Sequence, residues 1–173
     1  MTEVRELGPD DVEAFGRFIR RAWAEAGPGA PGWTGATDES VSRLASADYI
    51  TSLVDHGYTR IFLAWDDGEA VGFSSNGRVD DEAVELSGIV VLESATGRGI
   101  GSQLLESARD AAVEDGYRRM LVKTEAFNER AIGFYEGKGF EEKRRSVTDV
   151  EGVQVELVEL ELSLVDEKRR VSH

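Results

Sequence analysis

Apolar and polar positions change their period several times along the chain, and each change marks an element. Val4 and Leu7 alternate with polar residues ahead of Gly8-Pro9 and predict a first strand. Val12, Phe15, Ile19 and Trp23 then fall at helical spacing behind Asp10-Asp11, where a helix start favours negative charge, and predict a helix to about Glu25. Gly27, Gly29, Gly32 and Gly35, with Pro28 and Pro31, exclude any regular element from the segment that follows. Val41, Leu44, Ile50, Leu53 and Val54 predict a second helix, broken near Ala47-Asp48 and ending by Gly57, with His56 beside its C-terminus.

The period then shortens to two. TRIFLAWDDGEAVGFSSNGRVDDEAVELSGIVV reads as three strands, turning tightly at Asp67-Gly68 and more loosely through NGRVDDE. GIGSQLLESARDAAVEDG is a helix with Ile100, Leu104, Leu105, Ala108 and Ala112 on one face, closed by Gly116. RRMLVKTE is a strand, NERAIGFYEGKG a short helix that Asn128 can cap, and the remainder a hairpin turning near Glu151-Gly152. The order predicts a mixed α/β (α+β) fold: a mostly antiparallel sheet of six to seven strands, about four flanking helices, and one strand–helix–strand crossover near the middle. Residues 1–165 form one domain in this reading, and 166–173 a charged tail.

Composition narrows the chemistry. With 173 residues, 40% of them apolar, the chain can bury a sizeable core. It has no run of about 18 apolar residues, and MTEVRELGPDD has no basic segment followed by an apolar one, so a soluble cytoplasmic protein is expected. There is no cysteine, and only His56 and His173 carry imidazole; neither a metal centre nor a histidine-based triad is expected. The net charge of −14 argues against nucleic acid and anionic membranes as partners. Thirty-four acidic residues face twenty basic ones. Such a surface could attract cationic substrates, or reflect a proteome adapted to high salt; the even scatter of carboxylates favours the halophile reading.

SATGRGIGSQLL sets Gly97, Gly99 and Gly101 at alternate positions between an apolar strand and an amphipathic helix. N–H groups at a helix start lack intrahelical partners and carry partial positive charge, so an anion can bind there if no Cβ blocks the amides. Arg98 adds a full charge. The spacing is not G-x-G-x-x-G, and Gly-Lys-Ser/Thr is missing, so neither a dinucleotide fold nor a P-loop follows. The glycines alone are equally served by a tight turn holding helix against strand.

NERAIGFYEGKGF, taken together with IVVLESATGRGIGSQLL, resembles the GCN5-related N-acetyltransferase (GNAT) superfamily. The element order fits most of the chain, and the specific motifs lie between about Glu85 and Phe140. The family's glycine loop reads Gln/Arg-x-x-Gly-x-Gly/Ala; here Thr96 replaces the leading residue, and Glu93 stands where proline is frequent. The resemblance implies a GNAT-like fold and transfer of an acetyl group from acetyl-CoA to a primary amine, directly, in a ternary complex. It implies that Thr96, Gly97, Arg98, Gly99, Ile100, Gly101 and Ser102 hold the pyrophosphate. Backbone groups of Ile89, Val90 and Val91 would receive the pantetheine arm, where the strands ending GIVV and MLVKT part.

Tyr135 matches the family's tyrosine acid, whose phenol is protonated at neutral pH and can donate to a departing thiolate. Asn128, two helical turns earlier and roughly 10 Å away along the axis, is then turned to the cofactor arm. Tyr135 could otherwise be a core aromatic packing with Phe134 and Phe140. Glu85, opening ELSGIVV, is the candidate base, or a solvated strand-end carboxylate. Trp33 and Phe73, with Tyr49, are candidates for the acceptor pocket. Two rival readings remain: a non-catalytic acyl-CoA-binding regulatory module, and a purely structural interaction protein. A homodimer through the last strands is a further expectation.

Overall fold

A computed structural model describes residues 2–165; the charged tail expected at 166–173 lies outside the described residues. Seven strands form one sheet in the order β1-β2-β3-β4-β5-β7-β6. They are β1 (Glu3–Glu6), β2 (Thr59–Asp66), β3 (Glu69–Arg78), β4 (Ala83–Val91), β5 (Arg119–Glu125), β6 (Glu141–Val150) and β7 (Val153–Ser163). Every neighbouring pair is antiparallel except β4 and β5, which run parallel through the crossover helix α4 (Ile100–Glu114). This is the mixed, mostly antiparallel sheet that the period changes predict.

Among the described residues the α-helices number five, not about four, because the apolar stretch after the glycine–proline segment divides into α2 (Asp38–Leu44) and α3 (Ala47–Asp55). Thr37 caps α2 and Ser46 caps α3, each hydroxyl accepting from a backbone N–H three residues on, so the chain restarts a helix at Ser46. The remaining two are α1 (Val12–Ala26) and α5 (Glu129–Gly137), and His56 sits at the C-cap of α3.

Strand alternation divides the core between the two faces of β3. Phe73 meets Phe15 and Phe18 of α1, with ring centroids 5.1 and 5.8 Å away. On the other face, Ser74 Oγ donates to the Leu104 carbonyl at 3.3 Å and Asn76 Nδ2 to the Ala108 carbonyl at 2.8 Å, fixing α4 to the sheet. Leu104, Ala108 and Ala112 are buried against that face, as the helical spacing requires. Among the described residues no helix is long and apolar enough to cross a membrane, and no group of acidic and histidine side chains is gathered as for a metal ion.

Candidate active site

The site begins where β4 stops pairing with β5. Ala83–Leu86 pair in register with Arg119–Val122, after which the two strands part. The parting starts at a β-bulge: against β3, Ser74 pairs with Ile89 and Asn76 with Leu86, so Ser87 and Gly88 oppose Ser75 alone. Gly88 adopts φ +109°, a conformation L side chains rarely take. The extra residue bends β4 away from β5. Leu92 N–H donates to the Val71 carbonyl at 2.9 Å, so by alternation Val90 also faces β3, while Ile89 and Val91 turn their backbone groups into the gap.

A cavity of about 800 Å³ opens there. Its lining draws on Ile89, Val90, Val91, Thr96, Asn128 and Tyr135, together with Trp33, Tyr49 and Phe73. These sequence candidates, distant along the chain, are brought together. Glu85 is not among the lining residues: it is half exposed and lies 3.5 Å from Nζ of Lys123, a residue that is on the lining.

Tyr135 is 4% exposed, its ring edge-on to Phe134 and Phe140 at 5.4 Å each. It is therefore a core aromatic and a cavity residue at once. Burial pushes its phenol up to about 12, against an opposing pull from the backbone N–H of Ile89. A phenol so placed stays protonated across the neutral range. Asn128 caps α5: its Oδ1 accepts from Ala131 N–H at 3.2 Å, and its Nδ2 donates to Thr124 Oγ1 at 3.4 Å.

The glycine turn borders the cavity through Thr96, with α4 beginning at Ile100. Gly99 is the N-cap, at φ +75°, with no side chain satisfying the first turn and no acid in that turn. The other four α-helices each carry an acid there. No heavy atom lies within 4 Å of where a Cβ would stand on Gly97 or Gly99, so the protein's own packing does not demand glycine; the left-handed backbone does. The bare amides and dipole of α4 fit an anionic pyrophosphate. Arg98 does not point its charge freely: Nη1 lies 2.8 Å from Asp66 Oδ2, holding that carboxyl below its ordinary range, and Nη2 donates to the Ser94 carbonyl. Thr96 Oγ1 donates to the Glu93 carbonyl at 2.8 Å, closing the short turn Glu93–Ala95. Glu93 itself donates its N–H to Glu25 Oε2 at 2.9 Å, a bond that proline in its place could not make.

Sequence reasoning missed Glu125. It ends β5, is 8% exposed and lines the cavity. Its Oε2 accepts from Gly32 N–H at 2.7 Å and Thr34 Oγ1 at 3.1 Å. One carboxylate thus lays the glycine–proline segment over the parted strands. The same segment carries Trp33, which packs on Trp23 at 5.4 Å and also lines the cavity. Arg130, likewise on the lining, was missed too. The only available signal was weak: Glu125 stands three residues before Asn128, at the end of an alternating strand.

A family model for the acetyltransferase (GNAT) family matches residues 21–140. The chain belongs to this family. The N-acetyltransferase YjgM of Escherichia coli is 29% identical over 141 residues, 80% of this chain and 81% of its own length. A mycothiol acetyltransferase of Corynebacterium efficiens is 33% identical over 89 residues, 51% of this chain, and the match spans 30% of that protein's length. The E. coli ribosomal-protein-S18-alanine N-acetyltransferase shares the fold with a TM-score of 0.71 at 20% identity, covering 95% of this chain and 94% of its own. So does yncA of Salmonella typhimurium, solved with its cofactor acetyl-CoA, at a TM-score of 0.69, 22% identity and the same coverage. The seven-stranded sheet and five helices are those of a GNAT acetyltransferase.

Proposed function

We propose that this GNAT acetyltransferase moves an acetyl group from acetyl-CoA to a primary amine by direct transfer within a ternary complex. The observation that carries the reading is Tyr135, a buried phenol kept protonated at the point where β4 and β5 part. Acetyl-CoA would supply a thioester whose acyl carbon is open to an amine lone pair. The amides from Gly97 to Ser102, at the uncapped start of α4, hold the pyrophosphate. Ile89 and Val91 present backbone groups to the pantetheine arm, with Val90 and Asn128 beside it.

In this reading Val91 N–H, turned into the gap, donates to the acyl oxygen as negative charge develops there. Tyr135 gives its proton to the departing thiolate. A carboxylate takes the proton that frees the amine lone pair, and the phenolate left on Tyr135 takes the second proton as the nitrogen bonds to the acyl carbon and the C–S bond breaks. Glu125, inside the cavity, is better placed for this than Glu85, which is held at Lys123 outside the lining. The chain has no cysteine on which a thiol-linked acyl-enzyme could form.

Calorimetry with acetyl-CoA, followed by CoA release over a panel of primary amines, tests the proposal. Micromolar binding and amine-dependent release are expected. Absence of binding overturns it, and binding without turnover on any amine leaves an acyl-CoA-binding module.

A further inference from the structure

We propose that the acceptor is a small monoamine with an aromatic or bulky apolar body, its ammonium group received by Glu125; the inference rests on the acetyl-CoA reading above. Both hydrogen bonds to the glycine–proline segment use Oε2 of Glu125, and Oε1 takes neither. Among the described residues no Lys or Arg pairs with this carboxylate, although it is 8% exposed. A nearly buried carboxylate with one oxygen open to the cavity suits a cationic hydrogen-bond donor. A primary ammonium is such a donor, and it would arrive at the end of β5 where the strands have parted.

The walls decide what the amine carries. Trp33, Tyr49, Leu53 and Phe73 line the same cavity, offering aromatic and aliphatic surface to a nonpolar body. A second positive charge is disfavoured by Arg130, which borders the space, and less by Lys123, two residues from Glu125 on the same strand face but paired with Glu85. Besides Glu125 the lining holds two acids: Glu25, already engaged in accepting from Glu93 N–H and lying 3.8 Å from Arg21, and Glu93 itself, ahead of the glycine turn. The segment bearing Trp33 is tied down across the site by Glu125, which suits a small molecule rather than a long peptide. A cavity of about 800 Å³ has room for a thioester arm and a small amine together.

The test compares phenethylamine, spermidine and a short peptide with a free N-terminus, following CoA release with a thiol reagent; the chain has no thiol of its own to interfere. Phenethylamine is expected to exceed each of the others at least tenfold in kcat/KM. Glu125→Gln keeps an oxygen for Gly32 and Thr34, and is expected to raise the phenethylamine KM at least tenfold with the acetyl-CoA Kd unchanged. Trp33→Leu is expected to raise that KM several-fold. Preference for spermidine or the peptide overturns the inference while leaving the acetyltransferase reading in place. So does an unchanged KM in Glu125→Gln. Failure of acetyl-CoA to bind in calorimetry removes the underlying reading and this inference with it.

Discussion

Arg98 Nη1 lies 2.8 Å from Asp66 Oδ2, so the cation of the glycine turn is held by the end of β2 and not aimed at the helix start beside it. The cradle for an anion is therefore backbone. Arg98→Gln is expected to change the Kd for CoA less than about threefold, as befits a half-exposed ion pair. Gly99→Ala forces an L residue to φ +75°, costing about 1–2 kcal/mol, and adds a methyl group where phosphate oxygens would approach. Its CoA Kd is expected to rise at least about tenfold. Calorimetry on both variants decides; a larger loss in Arg98→Gln would make the side chain the grip.

Tyr135→Phe removes the phenolic proton and keeps the ring contacts with Phe134 and Phe140. If the phenol is the acid, kcat falls on the order of 100-fold or more, while the Kd for acetyl-CoA moves less than about twofold. Steady-state kinetics with calorimetry separates the two effects. An unchanged kcat retires the acid role and leaves Tyr135 a packing residue.

The same phenol links stability to alkaline pH. Its folded pKa is raised to about 12, so the folded state holds the proton more tightly than the unfolded chain, where tyrosine titrates near 10. This contribution is fully present below pH 10 and is lost as pH rises from 10 to 12. The loss is on the order of 3 kcal/mol for the fully buried group. Urea denaturation at pH 9 and pH 11.5 should show the wild type losing more stability than Tyr135→Phe over that interval. Equal losses would mean that Tyr135 ionises without cost.

The sheet and crossover were readable in the sequence because their signals are local. Strands alternate, Ile100 to Ala112 keep helical period, and Asp67-Gly68 turns a hairpin. The break before α3 was visible only as a weak apolar spacing, since it depends on Ser46 acting as a cap. At the site, Asn128 and Tyr135, both on the cavity lining, were named because the family resemblance is carried by one short continuous stretch, NERAIGFYEGKGF. Glu125 was not, because its partners Gly32 and Thr34 lie more than ninety residues away, in a segment without period. For the same reason sequence spacing could not rank Glu85 against Glu125: what separates them is which way each strand end faces and who is paired with Lys123.

Gly88 offers the sharpest test of how the cavity arises. It holds φ +109° in the bulge, and nothing lies within 4 Å of its would-be Cβ, so Gly88→Ala carries a backbone cost without a clash. That cost is on the order of 1–3 kcal/mol. Gly116, just beyond α4, provides the matched control: φ +89°, equally open, and not on the cavity lining. Both alanine variants are expected to lower Tm by several degrees, since about 1 kcal/mol corresponds to roughly 2–4 °C in a domain of this size. Only Gly88→Ala is expected to weaken acetyl-CoA binding, by about tenfold or more, because relieving the strain draws β4 back toward regular pairing and narrows the gap. If both variants lose Tm alike and bind acetyl-CoA alike, the parting of β4 from β5 does not depend on the bulge, and the ends of the two strands must hold it open by themselves.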